Sequence, residues 1–263
     1  MIRFCSLFSG SSGNSLFVSA GRTKLLIDNG LSGKRIIEAL ISIGETPSDL
    51  SAILVSHEHS DHIRGVGVLS RKFDIPVYAN ERTWEGMERL IGPVSIKNKM
   101  YFNTGREFEI GNIFVKAFPI PHDANEPVGF NFFVGNKKVT SATDIGHMNK
   151  GLLSNFEGSD LLLIEANHDV EMLKVGPYPW ALKKRIMGDN GHLCNEMAGK
   201  VVAYLAGKGT KHFLLGHLSK ENNFPELAYQ TVCNILCEKN IDPVNDIYLS
   251  VAMRDRAGKA VEV

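Results

Sequence analysis

An α/β layered fold is predicted by three features of this chain. Apolar runs of strand length recur, other segments carry apolar residues three and four apart, and the two kinds alternate through the C-terminal third. At 263 residues and 43% hydrophobic content the chain can bury one substantial core, so a single domain over residues 1–263 is expected.

The first third opens with IRFCSLF, SLFVSA and KLLIDNG, each of strand length and bounded by turn residues, which reads as neighbouring strands of a sheet. Ile36, Ile37, Leu40, Ile41 and Ile43 have helical spacing, so a helix over 33–43 follows Asp28 and Asn29. The continuous run AILVS (52–56) reads as a buried strand and delivers the chain directly into HEHSDH. A helix over 63–73, a strand IPVYA and a helix over 81–90 ending near Gly92-Pro93 come next. Between 106 and 142 lie four strands, REFEI, IFVKAFP, GFNFFVG and KKVTSATD, with Gly111-Asn112 and Gly135-Asn136 as hairpin turns. The last third alternates LLLIEAN, a helical NEMAGKVVAYLAGKG, the strand KHFLLGH and a helix over roughly 225–239. No repeat, low-complexity segment or Pro/Ser-rich linker interrupts the chain.

Charge excludes little. Twenty-nine basic residues balance 29 acidic ones, so a polyanion would have to be held by a local patch or by bound metal. Cys5, Cys194, Cys233 and Cys237 form no CxxC pair, and the last two sit i, i+4 in an apolar helical stretch, which points to a reducing, cytoplasmic setting. The N-terminus lacks a charged region followed by a long apolar run, and no segment reaches the ~20 apolar residues of a membrane span, so a soluble, unexported protein is expected.

Chemistry concentrates in His57-Glu58-His59-Ser60-Asp61-His62. On extended chain His57 and His59 project to one side, while a turn into the next helix swings Asp61 and His62 toward a second point. That geometry suits two metal ions, and the mixture of imidazole and carboxylate suits Zn²⁺ or Mn²⁺ with a position left open for water. The plainer reading is a His-rich surface loop.

HEHSDH resembles the HxHxDH motif of the metallo-β-lactamase superfamily, and the chain supplies residues similar to its other motifs in order: Asp28, His122 in FPIPHDA, Asp144 in SATDIG and His217 in LLGHLS. The resemblance implies a four-layer αββα sandwich (α/β, α+β) and two divalent ions per chain. By it His57, His59 and His122 hold one ion, Asp61, His62 and His217 hold the other, Asp144 bridges them and Asp28 buttresses the site. Taken singly, Asp28 reads as a turn or cap residue and His122 as a loop histidine; the ordered series at strand ends is what changes that. A closer likeness is to the YycJ/WalJ-type exonucleases, carried by FSGSSGNS, LIEANHDVEML, YPWALKKRIMGDNGHLCNE and LLGHLSKENN. It implies 5′-to-3′ degradation of double-stranded DNA. Cys194 departs from that pattern, where Ser is commoner.

Other residues fit a phosphate substrate. The Gly/Ser loop with Ser11, Ser12 and Asn14 forms either an anion-binding concavity or a tight inter-strand turn. His192 precedes a helix N-terminus and resembles the GHS-type histidine of tRNA 3′-processing nucleases, for charge stabilisation or leaving-group protonation; a structural role is the alternative. His168 either supports the site or touches substrate. Lys183, Lys184 and Arg185, with Tyr178 and Trp180 nearby, form either a contact to the DNA backbone or a solvated face.

The chemistry expected is metal-assisted phosphodiester hydrolysis, with Asp61 orienting the attacking hydroxide. Because fold does not determine function, a small-molecule or cyclic-nucleotide phosphodiesterase, an RNA-processing nuclease and a non-catalytic metal-binding regulatory partner stay open. No protein partner and no membrane are implied.

Overall fold

The computed structural model describes residues 1–263 as two seven-stranded mixed sheets flanked by helices. The chain separates into two compact units, one of Met1–Pro119, Ala124–Lys137 and Met253–Val263, the other of Ile120–Asp123 and Lys138–Ala252.

In the first unit β1 (Arg3–Phe8), β2 (Ser15–Ala20) and β3 (Thr23–Ile27) pair antiparallel. After them β4 (Ala52–Leu54), β5 (Val77–Ala79) and β6 (Lys99–Tyr101) add on in parallel, and the terminal strand Val261–Glu262 flanks β1. Strand β2 is buried along its whole length, its small Ser15 and Ser19 together with Leu16, Phe17, Val18 and Ala20, as in a sheet covered on both faces. One face is covered by α1 (Gly33–Ser42), α3 (Val66–Phe73) and α4 (Glu81–Ile91), whose Ile36, Leu40, Leu69, Trp84 and Met87 join Phe17, Leu26 and Ile53 in one core. On the other side lie β7 (Glu107–Ile110), β8 (Ile113–Pro119) and β9 (Val128–Val134), the antiparallel part of the second sheet; Phe108 stacks on Tyr78 at 5.8 Å and on Phe102 at 5.2 Å.

One expected element is divided. The helix expected over 63–73 is instead α2 (Ser60–Ile63), which begins inside HEHSDH, followed by α3 after a break at Arg64-Gly65. Gly65 N–H donates to the Asn29 carbonyl at 2.8 Å, and a Cβ there would lie 2.4 Å from the Leu31 carbonyl oxygen, so tertiary contact ends the first helix.

In the second unit β10 (Lys137–Ala142), β11 (Leu161–Glu165), β12 (His212–Gly216) and β13 (Tyr248–Val251) are all parallel. Their C-terminal ends therefore share an edge, the place where open α/β sheets collect functional residues. The helices are α5 (Lys150–Phe156), α6 (Val170–Val175), α7 (Trp180–Met187), α8 (Asn195–Ala206) and α9 (Pro225–Glu238). The last two pack so closely that a Cβ on Gly199 would sit 2.6 Å from Ile235 Cδ1. The sequence reading passed over β6 and β13, short strands whose side chains are half or fully exposed and so carry no apolar signal. No helix is long and apolar enough to cross a membrane.

Candidate metal centre

Three chemistry-bearing residues hold a backbone conformation that L-residues avoid. Asp28, Asp144 and His217 have φ of 58°, 60° and 55°, each just beyond the end of a strand. Asp and His are among the few residue types that enter the left-handed region at modest cost, so one choice of side chain serves both the turn and the chemistry.

In the first unit Asp28 is buried and its carboxylate caps no helix. It accepts from Ser56 N–H at 2.8 Å, from Ser56 Oγ at 2.8 Å and from His62 Nδ1 at 2.8 Å. The His62 ring is thereby oriented with Nε2 pointing away from the carboxylate. His57 and His59 lie on extended chain with Nε2 and Nδ1 3.2 Å apart, the His57 and His62 rings are 4.1 Å apart, and Asp61 Oδ2 is 3.7 Å from His62 Nε2. Helix α2 starts immediately after His59 and turns Asp61 and His62 off the extended line.

The Gly/Ser loop supports this arrangement from below. Asn14 is buried; its N–H donates to the Asp61 carbonyl at 2.8 Å and its Nδ2 lies 3.0 Å from His62 Nε2. Asn29 N–H holds the His62 carbonyl at 2.7 Å, and Gly30 passes so close beneath that a Cβ would stand 1.6 Å from the Asp61 carbonyl oxygen. Ser11 and Ser12 are exposed at the tip of a turn closed by Gly13 N–H to the Gly10 carbonyl at 2.9 Å.

The second unit centres on a residue that the sequence reading missed, Glu165. It ends the all-apolar strand LLLIE and is fully buried. Its Oε1 accepts from His192 Nδ1 at 2.8 Å and His217 Nδ1 at 2.9 Å, and its Oε2 accepts from Ile145 N–H at 2.6 Å and Leu193 N–H at 3.1 Å. Burial alone would raise this carboxyl, but the two imidazoles outweigh it and hold the group at about 2. A lone acidic residue ending an apolar strand was the available signal. Asp144 Oδ1 lies 3.3 Å from His217 Nδ1 and 3.8 Å from both His122 Nε2 and His192 Nδ1. His122 Nδ1 is 3.1 Å from the Gly191 carbonyl.

The imidazoles are not equivalent. Burial pushes His122 below the ordinary histidine value despite Asp144, favouring the neutral form that binds metal. For His192 burial also opposes charge, yet Glu165 and Asp144 prevail and raise its pKa. Its side chain keeps 18% exposure against 1% for His217. His168 is buried, with its Nδ1 lacking a hydrogen-bond partner, and burial lowers its pKa to about 4.

A divalent cation fits these donors. His62 and His217 each give Nδ1 to a carboxylate, the support that fixes a metal-ligating imidazole and aims its Nε2. Donor atoms of Asp144, Glu165, His192 and His217 all lie within 4.8 Å of one another, and neutral imidazole with carboxylate is the donor mixture that Zn²⁺ and Mn²⁺ accept.

The basic cluster is only partly a surface. Contrary to expectation Lys183 is buried, and its Nζ donates to the Lys174 carbonyl at 2.7 Å, so it is a structural lysine. Arg185 is exposed but its Nε reaches Asp123 Oδ2 at 2.5 Å, Lys184 lies 5.7 Å from the exposed Trp180 ring, and Tyr178 is half-buried.

Glu165→Gln gives the first prediction. Four N–H donors converge on four lone-pair positions of one carboxylate; an amide supplies one oxygen and turns two further donors toward them. Leaving buried donors unsatisfied costs about 1–3 kcal/mol each, so the urea midpoint is expected to fall clearly. An unchanged midpoint would contradict the four-donor arrangement.

A family model for the β-lactamase superfamily domain matches residues 23–218. Exodeoxyribonuclease YycJ of Bacillus anthracis is 47% identical over 239 residues, covering 90% of this chain and 90% of its own. Exodeoxyribonuclease WalJ of Streptococcus pneumoniae is 43% identical over 263 residues, 99% and 98% of the two chains. Among solved structures, the metallo-β-lactamase fold protein YhfI of Bacillus subtilis superposes with a TM-score of 0.73 at 16% identity over 98% of this chain and 100% of that one. That likeness speaks for the fold alone.

Proposed function

This chain belongs to the β-lactamase superfamily and, within it, to the family of the exodeoxyribonucleases YycJ and WalJ, and on that premise we propose that it is a metal-dependent exonuclease degrading double-stranded DNA from the 5′ end. The observation that carries the reading furthest is the shared carboxylate of Glu165, which ties a buried metal-type imidazole, His217, to a more exposed one, His192.

We assign His57, His59, Asp61, His62, His122, Asp144 and His217 as the residues that would hold two divalent ions, Mn²⁺ or Zn²⁺. When bound, such a pair activates water for in-line attack on phosphorus and neutralises charge on the phosphoryl oxygens. The protein's own groups do the rest. Asp28 and Glu165 hold the His62 and His217 rings in one tautomer. Asp61 orients the attacking water. With Nδ1 committed to Glu165, His192 presents Nε2 to the phosphate, where its proton stabilises the developing charge or passes to the leaving oxygen. His168 supports the site or contacts substrate, and Trp180, Lys184 and Arg185 are the surface offered to the DNA backbone.

Residues 1–263 are taken as a single hydrolase domain, since the superfamily match runs through both compact units. The four cysteines are free thiols, which supports a cytoplasmic setting.

The test is to load the protein with Mn²⁺ or Zn²⁺ and incubate it with duplex DNA labelled at either end, single-stranded DNA and RNA. Early release of 5′-terminal label from duplex DNA is expected. Cleavage of RNA alone, or of a cyclic nucleotide alone, would replace the proposal with an RNA-processing or small-molecule phosphodiesterase.

A further inference from the structure

A cavity of about 370 Å³ in the second unit borders His192. Its volume falls in the range of roughly 300–1,000 Å³ typical of small-ligand sites. Met148, Met187, Met197 and Leu193 line it, together with His168 and His192. The thioethers come from three places: the loop after β10, the last residue of α7 and the first turn of α8. Met187 and Met197 remain 39% and 36% exposed, apolar surface turned outward around a concavity.

The lining restricts what can enter. Polarisable thioethers make favourable contacts with aromatic rings, which a sugar or a phosphate does not offer. Polar groups are present as well. His168 is 2% exposed with Nδ1 lacking a partner, burial keeps its imidazole uncharged, and Asp189 contributes a further acceptor-bearing residue to the lining. Thioether and leucine side chains interleaved with His147, His168, Asp189 and His192 suit a flat heterocycle that packs its ring on the apolar groups and hydrogen-bonds through its edge.

We propose that this cavity seats the base of the nucleotide next to the scissile phosphate, against its thioether lining, while His192 faces the phosphate. The assignment rests on the nuclease reading for the role of His192. A base at a duplex end must leave its stack to enter, and the site recovers that cost through stacking on the walls.

The experiment is a calorimetric titration of Mn²⁺-loaded protein with deoxyadenosine 5′-monophosphate and, separately, 2-deoxyribose 5-phosphate, which lacks the base. The nucleotide is expected to bind about tenfold tighter, the low end of what base stacking contributes. In a Met187→Ala/Met197→Ala variant the difference should vanish while deoxyribose 5-phosphate binds as before. Met187→Ser/Met197→Ser, which removes the thioethers but leaves polar surface in their place, should remove the preference too. Equal affinities in the unmodified protein, or a preference that survives both variants, would overturn the assignment. A protein that shows the preference but degrades no DNA would lose the nuclease reading and keep the cavity; one that degrades DNA without the preference would do the reverse.

Discussion

Asp144→Ala is expected to remove hydrolysis, with a rate loss beyond about 10³-fold, and to lower metal content at the same time. Asp144 is buried at the end of β10 with Oδ1 3.3 Å from His217 Nδ1 and 3.8 Å from His122 Nε2, so deleting its carboxylate takes negative charge from among several imidazoles. Histidines brought this close around a cation need that charge to offset it. Alanine at φ 60° adds backbone strain of about 1–2 kcal/mol, which could by itself loosen the turn. Asp144→Asn separates the two effects, because Asn tolerates the left-handed region and keeps the volume while losing the charge. Metal loss is expected for Asn, with a melting temperature equal to that of the metal-free wild-type protein. A variant retaining its metal and full activity would remove Asp144 from the ligand set.

His192→Ala should behave differently. The Nδ1 of His192 is committed to Glu165, and its side chain is the more exposed of the two imidazoles on that carboxylate. As a group that meets the substrate it should leave metal stoichiometry nearly unchanged and lower kcat by about 10²–10⁴, the usual contribution of a positioned acid or charge stabiliser. Activated aryl phosphodiesters, whose leaving groups need no proton, divide the two roles: partial rescue identifies a proton donor, and an equal loss on both substrates identifies charge stabilisation. His192 also lies in a donor cluster with Asp144, Glu165 and His217, so its variant could instead lose metal. That result would make it a ligand and require the roles of His122 and His217 to be redrawn.

Much of this architecture is legible in the sequence. The runs IRFCSLF, SLFVSA and AILVS are strands because predominantly apolar runs of that length, broken only by an occasional Ser or Arg, satisfy a sheet covered on both faces, and they appear as β1, β2 and β4. Gly111 and Gly135, at φ 58° and 59°, turn the hairpins where Gly-Asn pairs stood in the sequence. The break between α2 and α3 was not legible, since it depends on Asn29 and Leu31 pressing on Gly65. Lys183 looked like part of a basic face, and only the position of the Lys174 carbonyl shows that it turns inward.

By itself the sequence determined the alternation of strands and helices and the residue types at each strand end. Both follow from local periodicity and from side-chain chemistry, which need no knowledge of distant residues. Tertiary structure decided how the rings are aimed. His62 takes its tautomer from Asp28, 34 residues away, and His217 takes its own from Glu165, 52 residues away. Asn14 reaches His62 across 48 residues. Such pairings depend on which strands lie side by side and in what register, as where Glu165 stands opposite Gly216 and so meets the histidine that follows it. Hydrogen bonds act over about 3 Å, and that proximity exists only once the sheet has formed.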